Sequence, residues 1–156
     1  MTCDNVPAAG WPVAPACERD LDALVDAYEV YLSGFKFPAN RAKLRDLLQH
    51  LVTAEWASIW VCRAPTRLAG FVAACLAYSS VSACVALYVN DLYVTSDARR
   101  QGIAKRLISA LEAGARRRGV GKLFLTATRG EVVVYRKFGF REDALTPTSM
   151  WKNLDV

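Results

Sequence analysis

The sequence predicts an α/β domain on a mixed, mostly antiparallel central sheet, and three observations carry that expectation. Two amphipathic helical stripes come first, over residues 21–32 and after Asn40. Three apolar, strand-like segments with short connections follow between residues 56 and 96. A strand–helix–strand unit then runs from residue 82 to residue 128. A crossover of that kind sets its two strands parallel, whereas the short connections before it suit antiparallel hairpins.

The first seventeen residues are rich in Pro and Ala and read as a loose lead-in, with a short strand near residues 11–14. Leu21, Leu24, Val25, Tyr28, Tyr31 and Leu32 then recur at helical spacing, with acids on the opposite face. Asn40 is a helix-capping residue type, and Leu44, Leu47, Leu48 and Leu51 form the stripe of a second helix behind it. His50 falls off that stripe and is expected in solvent. Strands are expected over 56–63, 68–80 and 82–96. Ile103, Leu107, Leu111 and Ala115 mark a long third helix, with Lys105, Arg106, Glu112 and Arg116 on its polar side. Gly119 and Gly121 end it. Residues 122–128 read as a buried strand, 131–138 as a short helix and 148–154 as a last strand.

At 156 residues the chain is expected to form one domain with a substantial core. Hydrophobic residues make up 53% and charged residues 22%, a globular composition. The net charge of +5 suits anionic partners without choosing among them. Five cysteines, Cys3, Cys17, Cys62, Cys75 and Cys84, show no paired spacing and read as reduced thiols. A single histidine argues against a multi-histidine metal site, and no metal is expected. No apolar run reaches membrane-spanning length and the start lacks a signal-peptide pattern, so a cytoplasmic location is expected.

The segment DARRQGIAKRL, residues 97–107, concentrates positive charge at the start of the third helix. A helix N-terminus is already partially positive, so extra cations there call for an anion. Backbone N–H groups that converge at such a point, together with the dipole, form an anion cradle. Gly102 and the small Ala104 leave room for a bulky ligand, and Arg99, Arg100 and Lys105 add charge beside it. The spacing is neither that of a Walker loop nor that of a dinucleotide-binding Gly-x-Gly-x-x-Gly.

This loop, followed by VVVYRKFGF, resembles the GNAT superfamily of acyl-CoA N-acyltransferases. Members carry Arg/Gln-x-x-Gly-x-Gly/Ala after their fourth strand, which here is Arg99, Arg100, Gln101, Gly102, Ile103 and Ala104. They also carry Tyr-x-x-x-Gly-Phe near the end of the domain, which here begins at Tyr135 and ends at Gly139 and Phe140. The likeness is firm over residues 89–142 and looser before them, where APACERDLDAL is similar to the family's first strand and helix. The resemblance implies the GNAT fold, with splayed fourth and fifth strands and about four flanking helices. It implies acetyl-CoA as acyl donor, with its pyrophosphate on the N–H groups from Gln101 to Lys105. The pantetheine arm would lie along the backbone of Leu92, Tyr93 and Val94, with Thr128 on the other side, where many relatives place an asparagine.

The implied chemistry is direct attack of a primary amine on a thioester. It needs a neutral amine, a donor for the oxyanion and a proton for the departing thiolate. Tyr135 is the expected general acid, because a phenol titrates near ~10, close to a thiol. Where relatives similar to diamine acetyltransferases carry a glutamate, this chain has Asn90, which cannot accept a proton. Asp91 is then expected either to deprotonate the amine through water or to bind a cationic acceptor. Asn90 and Tyr93 are expected to line the acceptor site.

The acceptor expected is a small-molecule amine or amino-acid-like metabolite. Aminoglycosides or other polyamines stay open through the DLYV and RRQGIA match, and protein N-acetylation is a further alternative. The acids Glu18, Asp20, Asp22, Asp26 and Glu29 in and before the first helix would be the rim that a polycation needs. Outside catalysis, an acyl-CoA-binding sensor would need the loop without Tyr135. A nucleic-acid module, suggested by Arg99 and Arg100 with Arg116, Arg117 and Arg118, is disfavoured because no recognised motif accompanies these clusters. The family resemblance also leaves a homodimer open.

Overall fold

The computed structural model describes residues 10–142. The chain divides into two compact units, Met1–Leu125 and Thr126–Val156. The first holds β1 (Val13–Pro15), α1 (Leu21–Ser33), α2 (Arg41–Thr53), β2 (Ala57–Arg63), β3 (Leu68–Ser79), β4 (Cys84–Val94), α3 (Ile103–Arg117) and β5 (Lys122–Phe124). Its sheet runs in chain order, β1 to β5. The first four strands pair antiparallel and β5 joins β4 parallel, as the crossover through α3 requires.

Helices cover both faces. Leu21, Leu24 and Val25 of α1 and Leu48 of α2 form one core with Ile59, Val61, Phe71, Ala73 and Tyr93. The Asn40 side chain accepts from the Lys43 N–H at 3.1 Å, so the expected cap starts α2. On α3, Ile103, Leu107, Ile108 and Leu111 are almost fully buried. Each such side chain contributes on the order of 2 kcal/mol of burial free energy. Glu112 and Arg116 pair along its polar side at 3.4 Å. Arg106 departs from the expected solvent position: it is half-buried and donates to the Trp11 carbonyl, tying α3 to the lead-in. Among the described residues no helix is long and apolar enough to cross a membrane. The described cysteines, Cys17, Cys62, Cys75 and Cys84, are free thiols.

One expectation changes at the C-terminal side. The strand expected over 122–128 pairs only at Lys122–Phe124, opposite Ala86, Leu87 and Tyr88. The last expected strand, 148–154, lies outside the described residues. In the second unit, α4 (Arg129–Lys137) is closed at its start by a capping box between Thr128 and Glu131.

Candidate active site

Between Val94 and α3 the chain makes a single 3-10 turn, Ser96–Ala98, and then the basic loop. Arg67, just before β3, donates to Thr95 Oγ1 at 2.9 Å and pairs with Asp97, so the loop hangs on the sheet. The Gln101 side chain donates to the Asp97 carbonyl at 2.9 Å and closes the turn. Arg100 and Gly102 both take left-handed backbone, at φ 60° and 78°. A left-handed turn costs glycine little, and a Cβ at Gly102 would meet nothing within 4 Å, so the space over it is open.

Gly102 caps α3 without a side-chain hydrogen bond, and the first turn carries no acid. The first helical bond runs from the Arg106 N–H to the Gly102 carbonyl at 3.1 Å. The N–H groups of Ile103, Ala104 and Lys105 therefore sit in the turn that a helix cannot satisfy internally. Arg100 and Lys105 are exposed beside them. Ile103 buries its side chain and offers only its backbone. Arg99 has a structural task as well, since its Nε donates to the Val94 carbonyl at 3.1 Å. The donor set suits a diphosphate: converging N–H groups, open space, and cations with no carboxylate in the turn.

β4 carries a bulge that shapes the rest. Val89 stands opposite Ala74 and Asp91 opposite Ala73, so Asn90 is an extra residue in the ladder. In an unbroken strand Leu87, Val89, Asp91 and Tyr93 would share one face. The bulge instead moves Asp91 and Tyr93 onto the face under α1. Beyond Tyr88, β4 has no strand partner on the β5 side among the described residues, while its pairing with β3 continues to Val94. The Thr95 N–H donates to the Ala69 carbonyl on β3 at 2.9 Å. Alternation then turns the backbone groups of Leu92 and Val94 toward the open edge and those of Tyr93 toward β3. The end of β5 at Phe124 thus leaves polar backbone on one side of β4 among the described residues.

Asp91 accepts a hydrogen bond from the Tyr28 hydroxyl at 3.0 Å. Burial raises the Asp91 carboxyl above its ordinary value, and hydrogen bonds from Tyr28 and Tyr31 draw it only part of the way back. Burial and the neighbouring Asp91 carboxylate push the Tyr28 phenol well up, so it stays a donor. The Tyr28 ring stacks on Phe71 at 4.2 Å, and Tyr31 and Tyr93 complete an aromatic cluster. Asp91 and Asn90 open onto a cavity of about 240 Å³ bounded by α1, α2, β2, β3 and β4.

Tyr28 and Tyr31 read in the sequence as core positions of the α1 stripe. The missed signal is two tyrosines three residues apart on an apolar stripe, because a buried phenol needs a partner for its hydroxyl. Leu47 gives a second signal: it lies on the α2 stripe yet is 52% exposed, at the wall of the cavity. Four of the five acids expected as a cationic-acceptor rim are engaged with arginines. Asp20 is held by Arg63 at 2.6 and 2.8 Å, Asp22 pairs with Arg45, and Asp26 and Glu29 share Arg41.

In the second unit, Thr128 is half of the capping box. Its hydroxyl donates to Glu131 at 2.7 Å, so a bound molecule would find only its oxygen lone pairs. Tyr135 is half-buried on α4, with its ring edge-on to Phe138 and Phe140 at 6.3 and 5.7 Å.

This arrangement of sheet and helices recurs among solved acetyltransferases. A probable acetyltransferase superposes with a TM-score of 0.81 over 92% of this chain and 99% of its own, at 24% identity. A ribosomal-protein-alanine N-acetyltransferase from Brucella melitensis biovar Abortus 2308 matches at 0.71, over 90% and 99%, with 25% identity. An aminoglycoside acetyltransferase from an uncultured soil metagenomic sample, in complex with sisomicin, matches at 0.72 over 90% and 96%, with 20% identity. No curated protein sequence matches this chain. The fold is thus that of an acetyltransferase. The sequence profile described as acetyltransferase (GNAT) domain matches residues 29–150, and the chain belongs to that family.

Proposed function

We propose that this protein is an N-acetyltransferase that moves an acetyl group from acetyl-CoA to a small-molecule primary amine by direct attack. The observation that carries the reading is β4 itself. One strand presents a half-buried carboxylate on one face and open polar backbone along one edge, and it runs within a few residues into the anion loop. Bound acetyl-CoA supplies an activated acyl carbon and a thiolate leaving group. The chain's part is to hold, orient and move protons. The N–H groups from Gln101 to Lys105, with Arg99, Arg100 and Lys105, hold the diphosphate. Leu92 and Val94 on the open edge receive the extended arm as an added strand would be received, and Thr128 contributes from its own unit. Asn90 and Tyr93 border the acceptor.

Asp91 takes the proton from the incoming ammonium, and its raised carboxyl suits that task. The amine nitrogen bonds to the acyl carbon as the carbon–sulfur bond breaks, and it releases its second proton to water. Tyr135 gives its proton to the sulfur and recovers one from solvent. Free thiols on the described cysteines support a reducing compartment, the cytoplasm. The test is a calorimetric titration with acetyl-CoA beside dephospho-CoA and ATP, followed by thiol release with a panel of amines. Preferred acetyl-CoA binding with amine-dependent thiol release is expected. Absence of binding at millimolar ligand would reduce the loop to a basic helix start.

A further inference from the structure

We infer that the acceptor is a monoamine on an apolar body, an aryl-ethyl or medium-chain alkyl amine, seated in the cavity between α2 and the sheet with its nitrogen at Asp91. This rests on the acetyltransferase reading above and narrows it. The cavity is walled largely by apolar side chains, among them Leu44, Leu47, Leu51 and Trp56, and among the described residues Asp91 is its one carboxylate. An apolar cavity of roughly 150 Å³ holds a benzene ring. At about 240 Å³, this one has room for a ring with a two-carbon arm, or for a six-carbon chain.

Charge points the same way. A second ammonium on the acceptor would lie against leucine and tryptophan, losing its hydration with no counter-charge to replace it. Three acids of α1 are paired with α2: Asp22 with Arg45, and Asp26 and Glu29 with Arg41. Leu47 and Trp56 are 52% and 46% exposed. An apolar acceptor would cover them, and that burial favours binding in proportion to area.

The experiment compares hexylamine and 2-phenylethylamine with 1,6-diaminohexane, using the full chain and acetyl-CoA and reading kcat/KM by thiol release. Hexylamine and the diamine match in length and differ by one ammonium. The monoamines are expected to exceed the diamine at least tenfold; a diamine used equally well or better overturns the assignment. Leu47→Glu places a second carboxylate on the half-exposed wall and is expected to cut the hexylamine-to-diamine ratio at least tenfold. An unchanged ratio in folded protein overturns it.

A measurement on the unaltered protein needs no turnover. Cys75 lines the same cavity, so hexylamine but not the diamine is expected to slow its alkylation by N-ethylmaleimide, read by peptide mass. Equal labelling with and without hexylamine overturns the site. If acetyl-CoA neither binds nor reacts while hexylamine still shields Cys75, acetyl transfer fails and the apolar amine site stands. If acetyl-CoA binds and the diamine is preferred, only the acceptor assignment fails.

Discussion

Asp91 stands where two forces oppose each other. Burial disfavours its charge, the Tyr28 and Tyr31 hydroxyls favour it, and burial prevails. A carboxyl raised in the fold adds stability that is fully present below its unfolded value and is lost as pH rises through the folded one. Asp91→Asn is therefore expected to gain in urea midpoint over wild type at pH 8 and to lose that advantage near pH 3. In activity, the acid limb of kcat/KM should lie above the ordinary carboxylate range. The variant should lack that limb and turn over about 10²-fold more slowly or worse. A limb that persists in the variant would remove Asp91 as the base. At Gly102, aspartate would bring bulk and negative charge into the open space over the loop. Gly102→Asp is expected to abolish acetyl-CoA binding in calorimetry, and unchanged affinity would contradict the loop assignment. Tyr135→Phe keeps the ring against Phe138 and Phe140 and removes only the hydroxyl. Binding should survive while turnover falls by about 10²-fold or more, and a near-normal rate would take the proton-donor role from Tyr135.

Among the elements, helices were the most legible in the sequence, because a 3.6-residue stripe over a dozen residues is a strong periodic signal. α1, α2 and α3 begin where the stripes and the Asn40 cap put them. β4 was legible as a strand but not in its facing. Alternation would group Asp91 with Leu87 and Val89, and the bulge at Asn90 separates them. Nothing local encodes that bulge, since an extra residue in a ladder is defined by the partner strand. β5 is shorter than its composition suggests for a related reason: residues 125–128 are strand-like, but a strand needs a neighbour, and the pairing with β4 ends at Phe124. β3 and β4 approach closely at Gly70, where a Cβ would lie 2.5 Å from the Tyr93 carbonyl oxygen. Gly70→Ala must push the strands apart beside the site, and a loss of about 2 kcal/mol in urea unfolding is expected. A neutral result would mean that β4 is not pinned there.

Over the whole molecule, composition foretold a globular chain with a modest positive charge, but not where charge would remain available. The acids of α1 looked like a face for cations until the fold brought Arg41 and Arg45 of α2 against them. Pairing between elements 12 to 23 residues apart is a tertiary event, outside the reach of periodicity. The open edge of β4 also has a colloidal consequence. Unpaired strand backbone is a template on which another chain can add. Among the described residues, Arg99 blunts its last carbonyl. The ligand-free protein should therefore be the aggregation-prone form, with acetyl-CoA acting as an edge protector. On gentle heating at high concentration, light scattering should rise later with saturating acetyl-CoA than with ATP at equal ionic strength. Coincident curves would mean that the edge is already shielded. If they separate, stocks of this protein will keep best with acetyl-CoA present, and cells short of acetyl-CoA will be those in which it precipitates.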